Sequence, residues 1–172
     1  SLLSLTSRHG ALKSRKRLTA GPSHPGPAVW RLQFQHNKRR SVGKGLATMS
    51  VSMTMPILIV DDYNTMIRIM RNLLRQLGFT NIDEANDGAA ALAKMRNKDY
   101  ALVISDSHMR PMTGMEFLQR VRAEERIAQT PFVMVANDNA EGAEAQGASS
   151  YIVKPFSAQA LKSTLVPVIG AF

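Results

Sequence analysis

From Pro56 onward, short all-apolar runs alternate with longer stretches in which apolar residues recur every three or four positions. Ile57-Leu58-Ile59-Val60 is continuously apolar and rich in β-branched side chains, which predicts a strand buried on both faces. Met66, Ile67, Met70, Leu73, Leu74 and Leu77 follow at helical spacing, with Asn64 or Thr65 as the expected cap and Gly78 as the expected stop. Asn81–Ala85 predicts a weaker strand, and Asp87-Gly88 lead into an Ala-rich helix ending near Arg96. Ala101–Ser105 predicts a third strand, ended by Asp106. Met115, Phe117, Leu118 and Val121 mark a helix after Gly114. Pro131–Ala136 and Tyr151–Val153 predict the fourth and fifth strands, with at most a short helix over Ala140–Gln146 between them. Ser157–Val166 predicts the last helix, which Pro167 is expected to stop.

Strands alternating with helices argue a parallel sheet covered on both faces, with right-handed crossovers. The expected class is α/β: a flavodoxin-like (βα)5 doubly wound sheet of order 2-1-3-4-5. Such a sheet presents its ligand crevice at the carboxyl ends of the strands, where the strand order reverses.

Charge changes this picture mainly by dividing the chain. Ten of the 22 Lys and Arg lie within residues 1–60, where there is no Asp or Glu; the other twelve share residues 61–172 with all 13 acidic residues, a net of −1. The overall +9 therefore belongs to the first part alone. That part holds Gly21-Pro22, Pro25-Gly26-Pro27, two basic clusters and little periodicity, so it is expected to be disordered. The boundaries drawn are 1–52 for the basic extension and 53–172 for the folded domain. An acid-free, Arg- and Ser-rich leader also resembles a transit peptide, and a vector-derived or upstream-start origin accounts for it equally well.

The chain has no Cys, which excludes disulfides, thiolate metal sites and a Cys nucleophile and fits a cytoplasmic, reducing compartment. No apolar run approaches the ~20 residues of a membrane span. A monomer is expected.

The predicted strand ends carry the chemistry. Strand one ends in Asp61-Asp62, strand three in Asp106 and strand five in Lys154-Pro155. Three carboxylates at close range repel unless a cation joins them. Mg²⁺, a hard ion with oxygen ligands, suits such a set. With the charge offset, one carboxylate can attack phosphorus while a lysine pairs with a phosphoryl oxygen. The constellation reads as an aspartyl-phosphate site. The bland alternative, that each Asp merely caps the element after it, does not account for three coincident strand ends.

At these residues the sequence resembles the response-regulator receiver family, closely its chemotaxis members, over about Pro56–Val166. The blocks that carry the resemblance are Ile57–Asp62, Val103–Asp106, Tyr151–Phe156, Arg71–Leu74 through Leu77–Phe79, and Glu84-Ala85 with Asp87-Gly88. The resemblance implies that Asp106 is the phosphoacceptor, that Asp61 and Asp62 hold Mg²⁺ with it, and that the backbone carbonyl of His108 is a further ligand. It implies that Lys154 pairs with the phosphate, that Lys154-Pro155 is cis, and that Tyr151 is the aromatic switch. It further implies phosphate supply by a histidine kinase, a phosphotransfer protein or a small donor, and output through the face around the fourth helix, fifth strand and fifth helix.

Three departures stand out. Ala136 occupies the position where the family usually has Thr or Ser, so the switch is expected to be weakened. Ala136–Gly147 is about four residues short of the family's usual length, with Gly142 inside it. Arg110 stands where the family usually has Pro, and Thr113 where it usually has Asp. His108 is expected at the rim rather than as a side-chain ligand, and the guanidinium of Arg110 is expected to be solvated.

The leading reading is a stand-alone phosphorylatable signalling module acting by protein–protein contact, or a phosphate sink. A Mg²⁺-dependent Asp-nucleophile phosphatase ranks lower, because His108 stands where a second Asp is needed. Nucleic-acid binding through the basic extension, with Trp30 and Phe34 as stacking residues, is not expected.

Overall fold

The computed structural model describes residues 51–138, 143–144 and 146–172. The elements in chain order are β1 (Ile57–Val60), α1 (Asn64–Gln76), β2 (Ile82–Ala85), α2 (Gly88–Asn97), β3 (Leu102–Asp106), α3 (Gly114–Ala123), β4 (Phe132–Ala136), β5 (Ser150–Val153) and α4 (Ala158–Ile169). The sheet is parallel throughout, in the order β2-β1-β3-β4-β5. This is the flavodoxin-like arrangement expected from the sequence, with four helices among the described residues.

β1, β3 and β4 are buried at every position. Alternation along each strand sends successive side chains to opposite faces. Leu58, Val60, Val103, Phe132 and Met134 join one core, which α2 and α3 close with Leu92, Met95, Phe117, Leu118 and Val121. Ile57, Ile59, Ile104, Val133 and Val135 join the other, closed by α1 and α4 with Ile67, Met70, Leu74, Leu161 and Leu165.

The helix ends show where local chemistry departs from pattern. α1 begins one residue earlier than a cap at Asn64 would put it, and two earlier than a cap at Thr65: the N-cap is Tyr63, with no side-chain cap. Asp61 makes the turn instead, its Oδ1 accepting the Tyr63 N–H at 2.8 Å. Gly78 ends α1 at φ +100°, letting its N–H reach Arg75 O and that of Phe79 reach Leu74 O. α2 is capped by Asp87, which accepts the Ala90 N–H at 2.7 Å.

α4 does not stop at Pro167 but runs to Ile169. A proline in the last turn forfeits one intrahelical bond. Val168 and Ile169 pack against the second core, which offsets that loss, and Gly170 closes the helix at φ +104°. Between β4 and β5, residues 143, 144, 146 and 147 lie in turns. The remainder of the short helix expected over Ala140–Gln146, and the whole of residues 1–50, fall outside the described residues.

Candidate functional site

The site lies at the carboxyl edge of the sheet, where β1 and β3 adjoin and their crossovers leave in opposite directions. The ladder continues one residue past three strands: Asp61 N–H donates to Ala85 O at 3.2 Å, Ser107 N–H to Val135 O at 2.8 Å, and Lys154 N–H to Ala136 O at 2.8 Å. These bonds hold the strand ends in register, so Asp61, Asp106 and Lys154 project into one crevice.

One ligand oxygen from each of Asp61, Asp62 and Asp106 can be chosen so that all lie within 4.8 Å of one another. Asp61 and Asp106 are buried, whereas Asp62 is exposed. Lys154 Nζ stands 2.7 Å from Asp106 Oδ1 and 3.6 Å from Asp61 Oδ2. Asp106 Oδ2 accepts the His108 N–H at 2.8 Å, and Asp62 Oδ2 accepts the Arg110 N–H at 3.1 Å. Lys154-Pro155 is cis, as is Arg110-Pro111.

One ammonium against three carboxylates leaves the cluster short of positive charge. Burial raises the Asp61 pKa above its ordinary value; the Tyr63 N–H and Lys154 oppose the rise, while Asp106 and Asp62 add to it. Asp61 Oδ2 is buried with no hydrogen-bond partner. A buried carboxylate oxygen that accepts no hydrogen bond, beside two further carboxylates, is an all-oxygen donor set of the kind a hard divalent cation takes. The residues therefore fit Mg²⁺.

The remaining candidates fall around this cluster. Ala136 ends β4, buried, its side chain offering no hydrogen bond. Tyr151 on β5 is half-buried and packs against the first core. The His108 imidazole is exposed, with Nδ1 2.7 Å from Ser107 Oγ. Trp30, Phe34 and the basic clusters lie outside the described residues.

Two features of the site escaped the sequence reading. Thr113 and Glu116 form a reciprocal capping box at the start of α3, a signal present as Thr-x-x-Glu. Gly114 N–H donates to Ser107 O, and a Cβ at Gly114 would sit 2.0 Å from the Asp106 carbonyl oxygen. Only glycine lets the helix start this close to the strand end that carries Asp106.

The fold and the crevice define a doubly wound α/β protein with an acidic cluster and a lysine at its topological switch point. The chain belongs to the response regulator receiver domain family, whose sequence model matches residues 57–166. It is 45% identical over 115 residues to the chemotaxis protein CheY of Pseudomonas aeruginosa, covering 64% of this chain and 93% of that one. It is 44% identical over 116 residues to CheY-3 of Vibrio cholerae, covering 64% and 88%. Among solved structures, the chemotaxis response regulator CheY4 of Vibrio cholerae superposes with a TM-score of 0.62 at 32% identity, over 67% of this chain and 98% of that chain. The protein is thus a CheY-like receiver domain of two-component signalling. Members of this family generally signal rather than act as conventional enzymes, and they bind Mg²⁺ at an aspartate cluster. They interact with histidine kinases or phosphotransfer proteins and with downstream targets. Nothing in these likenesses favours the phosphatase reading. No described helix is long and apolar enough to cross a membrane.

Proposed function

We propose that this protein is a chemotaxis-like response regulator that accepts a phosphoryl group on Asp106 and signals by protein–protein contact. The observation that carries the reading is the convergence of Asp61, Asp62 and Asp106 beside Lys154 Nζ at the strand ends. Asp61, Asp62, Asp106 and the backbone carbonyl of His108 would hold Mg²⁺, which offsets carboxylate and phosphoryl charge when bound. The His108 N–H and Lys154 Nζ orient the Asp106 carboxylate. A carboxylate oxygen attacks phosphorus; the P–O bond to Asp106 forms as the bond to the donor's leaving group breaks. That donor is a histidine kinase or phosphotransfer protein, or a small acyl phosphate. Lys154 then exchanges from Asp106 to a phosphoryl oxygen. The protein acts as a cytoplasmic monomer on a downstream protein, not on nucleic acid.

Intact mass after incubation with acetyl phosphate tests this. The expected result is a Mg²⁺-dependent gain of one phosphoryl group by the wild type and none by Asp106→Asn. An equal gain in the mutant, or none in a wild type that binds Mg²⁺ and is also offered a phosphorylated histidine kinase, would remove Asp106 as acceptor.

A second reading, a phosphate sink or weak switch, is favoured by Ala136. With no hydroxyl at the end of β4, coupling to Tyr151 lacks one hydrogen bond, a net of ~0.5–1.5 kcal/mol. Addition of beryllofluoride is expected to shift Tyr151 ring resonances less in the wild type than in Ala136→Thr. Equal shifts would reject the weakened switch.

A further inference from the structure

We infer that the backbone amide of Arg110 is a positioning group for Asp62, holding the exposed member of the acidic pair ready for a divalent cation. The inference rests on the reading of Asp61, Asp62 and Asp106 as the metal site. Asp61 and Asp106 are fixed by burial and by the Tyr63 and His108 amides. Asp62 is exposed and lacks that confinement. Its Oδ2 instead accepts the Arg110 N–H at 3.1 Å, from a residue 48 positions away in the loop between β3 and α3.

That bond exists because residue 110 is not proline. Proline has no N–H, so a proline at this position would offer Asp62 no donor. The consequence of Arg110 is therefore a backbone donor, independent of its guanidinium. The loop that offers it is itself anchored: Met109 and Met112 are buried in the first core, and Gly114 N–H bonds Ser107 O. A donor on an anchored loop restricts Asp62 at one oxygen and leaves the other for a cation. Ligating carboxylates are commonly held by such second partners, and losing one typically costs ~10–100-fold in metal affinity.

The test separates amide from charge. Arg110→Ala removes the guanidinium and keeps the N–H; Arg110→Pro removes both. Mg²⁺ affinity of the full chain is read by calorimetry, with amide exchange of residue 110 followed by NMR in metal-free buffer. Arg110→Pro is expected to bind Mg²⁺ more weakly than Arg110→Ala, by up to ~10-fold, the low end of that range because Asp62 is exposed. The Arg110 amide is expected to exchange slowly in the wild type and fast in Asp62→Ala. Equal affinities in the two Arg110 variants, or an unprotected wild-type amide, would overturn the inference. A wild type that binds no Mg²⁺ would instead overturn the metal-site reading beneath it.

Discussion

Asp61 shows what the site costs the fold. Its carboxylate is buried, with Oδ1 on the Tyr63 amide and Oδ2 accepting no hydrogen bond, though Lys154 Nζ lies 3.6 Å away. The folded state raises its pKa above the ordinary 3.8, so protonation favours folding. The ionised group therefore destabilises the metal-free protein above its raised pKa; the penalty fades as pH falls through that raised pKa toward 3.8 and is gone below 3.8. Asp61→Asn is expected to raise stability in metal-free urea melts at neutral pH by roughly 1 kcal/mol, since a buried unsatisfied acceptor is replaced by a neutral one. The gain should shrink as pH falls through the raised pKa; a gain that is constant with pH would reject burial of this charge as its cause. At this scale the sequence was informative about identity. Asp61, Asp62, Asp106 and Lys154 are rare side-chain types at apolar strand ends, and type is what a sequence displays. It marked Arg110 for its guanidinium, whereas the relevant atom is a backbone nitrogen common to nineteen residue types.

Among elements, the junction of β3 and α3 is where packing and chemistry meet. Gly114 begins α3 against the Asp106 carbonyl, and a Cβ 2.0 Å from that oxygen forces backbone apart. Gly114→Ala is expected to destabilise the protein by ~1–3 kcal/mol, the range for overpacking. It should also slow phosphorylation from acetyl phosphate, because relief requires moving the strand end that carries Asp106. Normal rates at normal stability would show that the helix, not the strand, gives way. Farther along α3, Arg122 donates to the carbonyls of Ala128 and Thr130 through one nitrogen and to Gly147 through Nε. Burial lowers its pKa, yet a guanidinium is so strongly basic that it stays charged near neutral pH. It ties α3 to the turn that precedes β5. Arg122→Ala is expected to cost ~2–3 kcal/mol, as charged hydrogen bonds do. It should accelerate amide exchange over residues 146–150; unchanged exchange there would deny the tie. Strands and helices were legible as periodicities, but these ties were not. Neither a close approach nor a side chain bonding distant carbonyls has a period. Pro167 misled for a related reason: the rule that stops a helix at proline is local, whereas the packing of Val168 and Ile169 that extends α4 is tertiary.

Across the whole molecule, the flanks of the family-matched region meet. Val51, Met53 and Met55 precede it, and Val168, Ile169 and Phe172 follow it; all pack on the second core. Phe172 meets Phe79 edge-on with ring centroids 4.9 Å apart, and Val51 N–H reaches Ala171 O at 3.4 Å. Met53 O accepts the Thr80 N–H and Pro56 O the Ala101 N–H, so the leading strand of residues also satisfies loop amides at the amino edge of the sheet. Neither flank has enough residues to display a period, which is why a sequence reading starts the domain at a composition change rather than at a contact. From its composition alone, the extension through residue 50 is expected to contribute nothing to folding, whereas Val51, Met53, Met55, Val168, Ile169 and Phe172 pack on the core. Each large apolar side chain contributes roughly 1.5–3 kcal/mol when fully buried, and six partly buried ones represent a substantial share of a typical 5–15 kcal/mol stability. A chain of residues 51–172 should therefore melt as the full chain does, cooperatively and at the same midpoint. A chain of residues 57–166, which keeps every strand and every candidate site residue, should melt far lower or without cooperativity by circular dichroism. If the shorter chain melted like the longer one, the flanks would be ornaments on a core already complete. If removal of residues 1–50 lowered the midpoint, the basic extension would be part of the fold, and its charge would need an account within the domain rather than outside it.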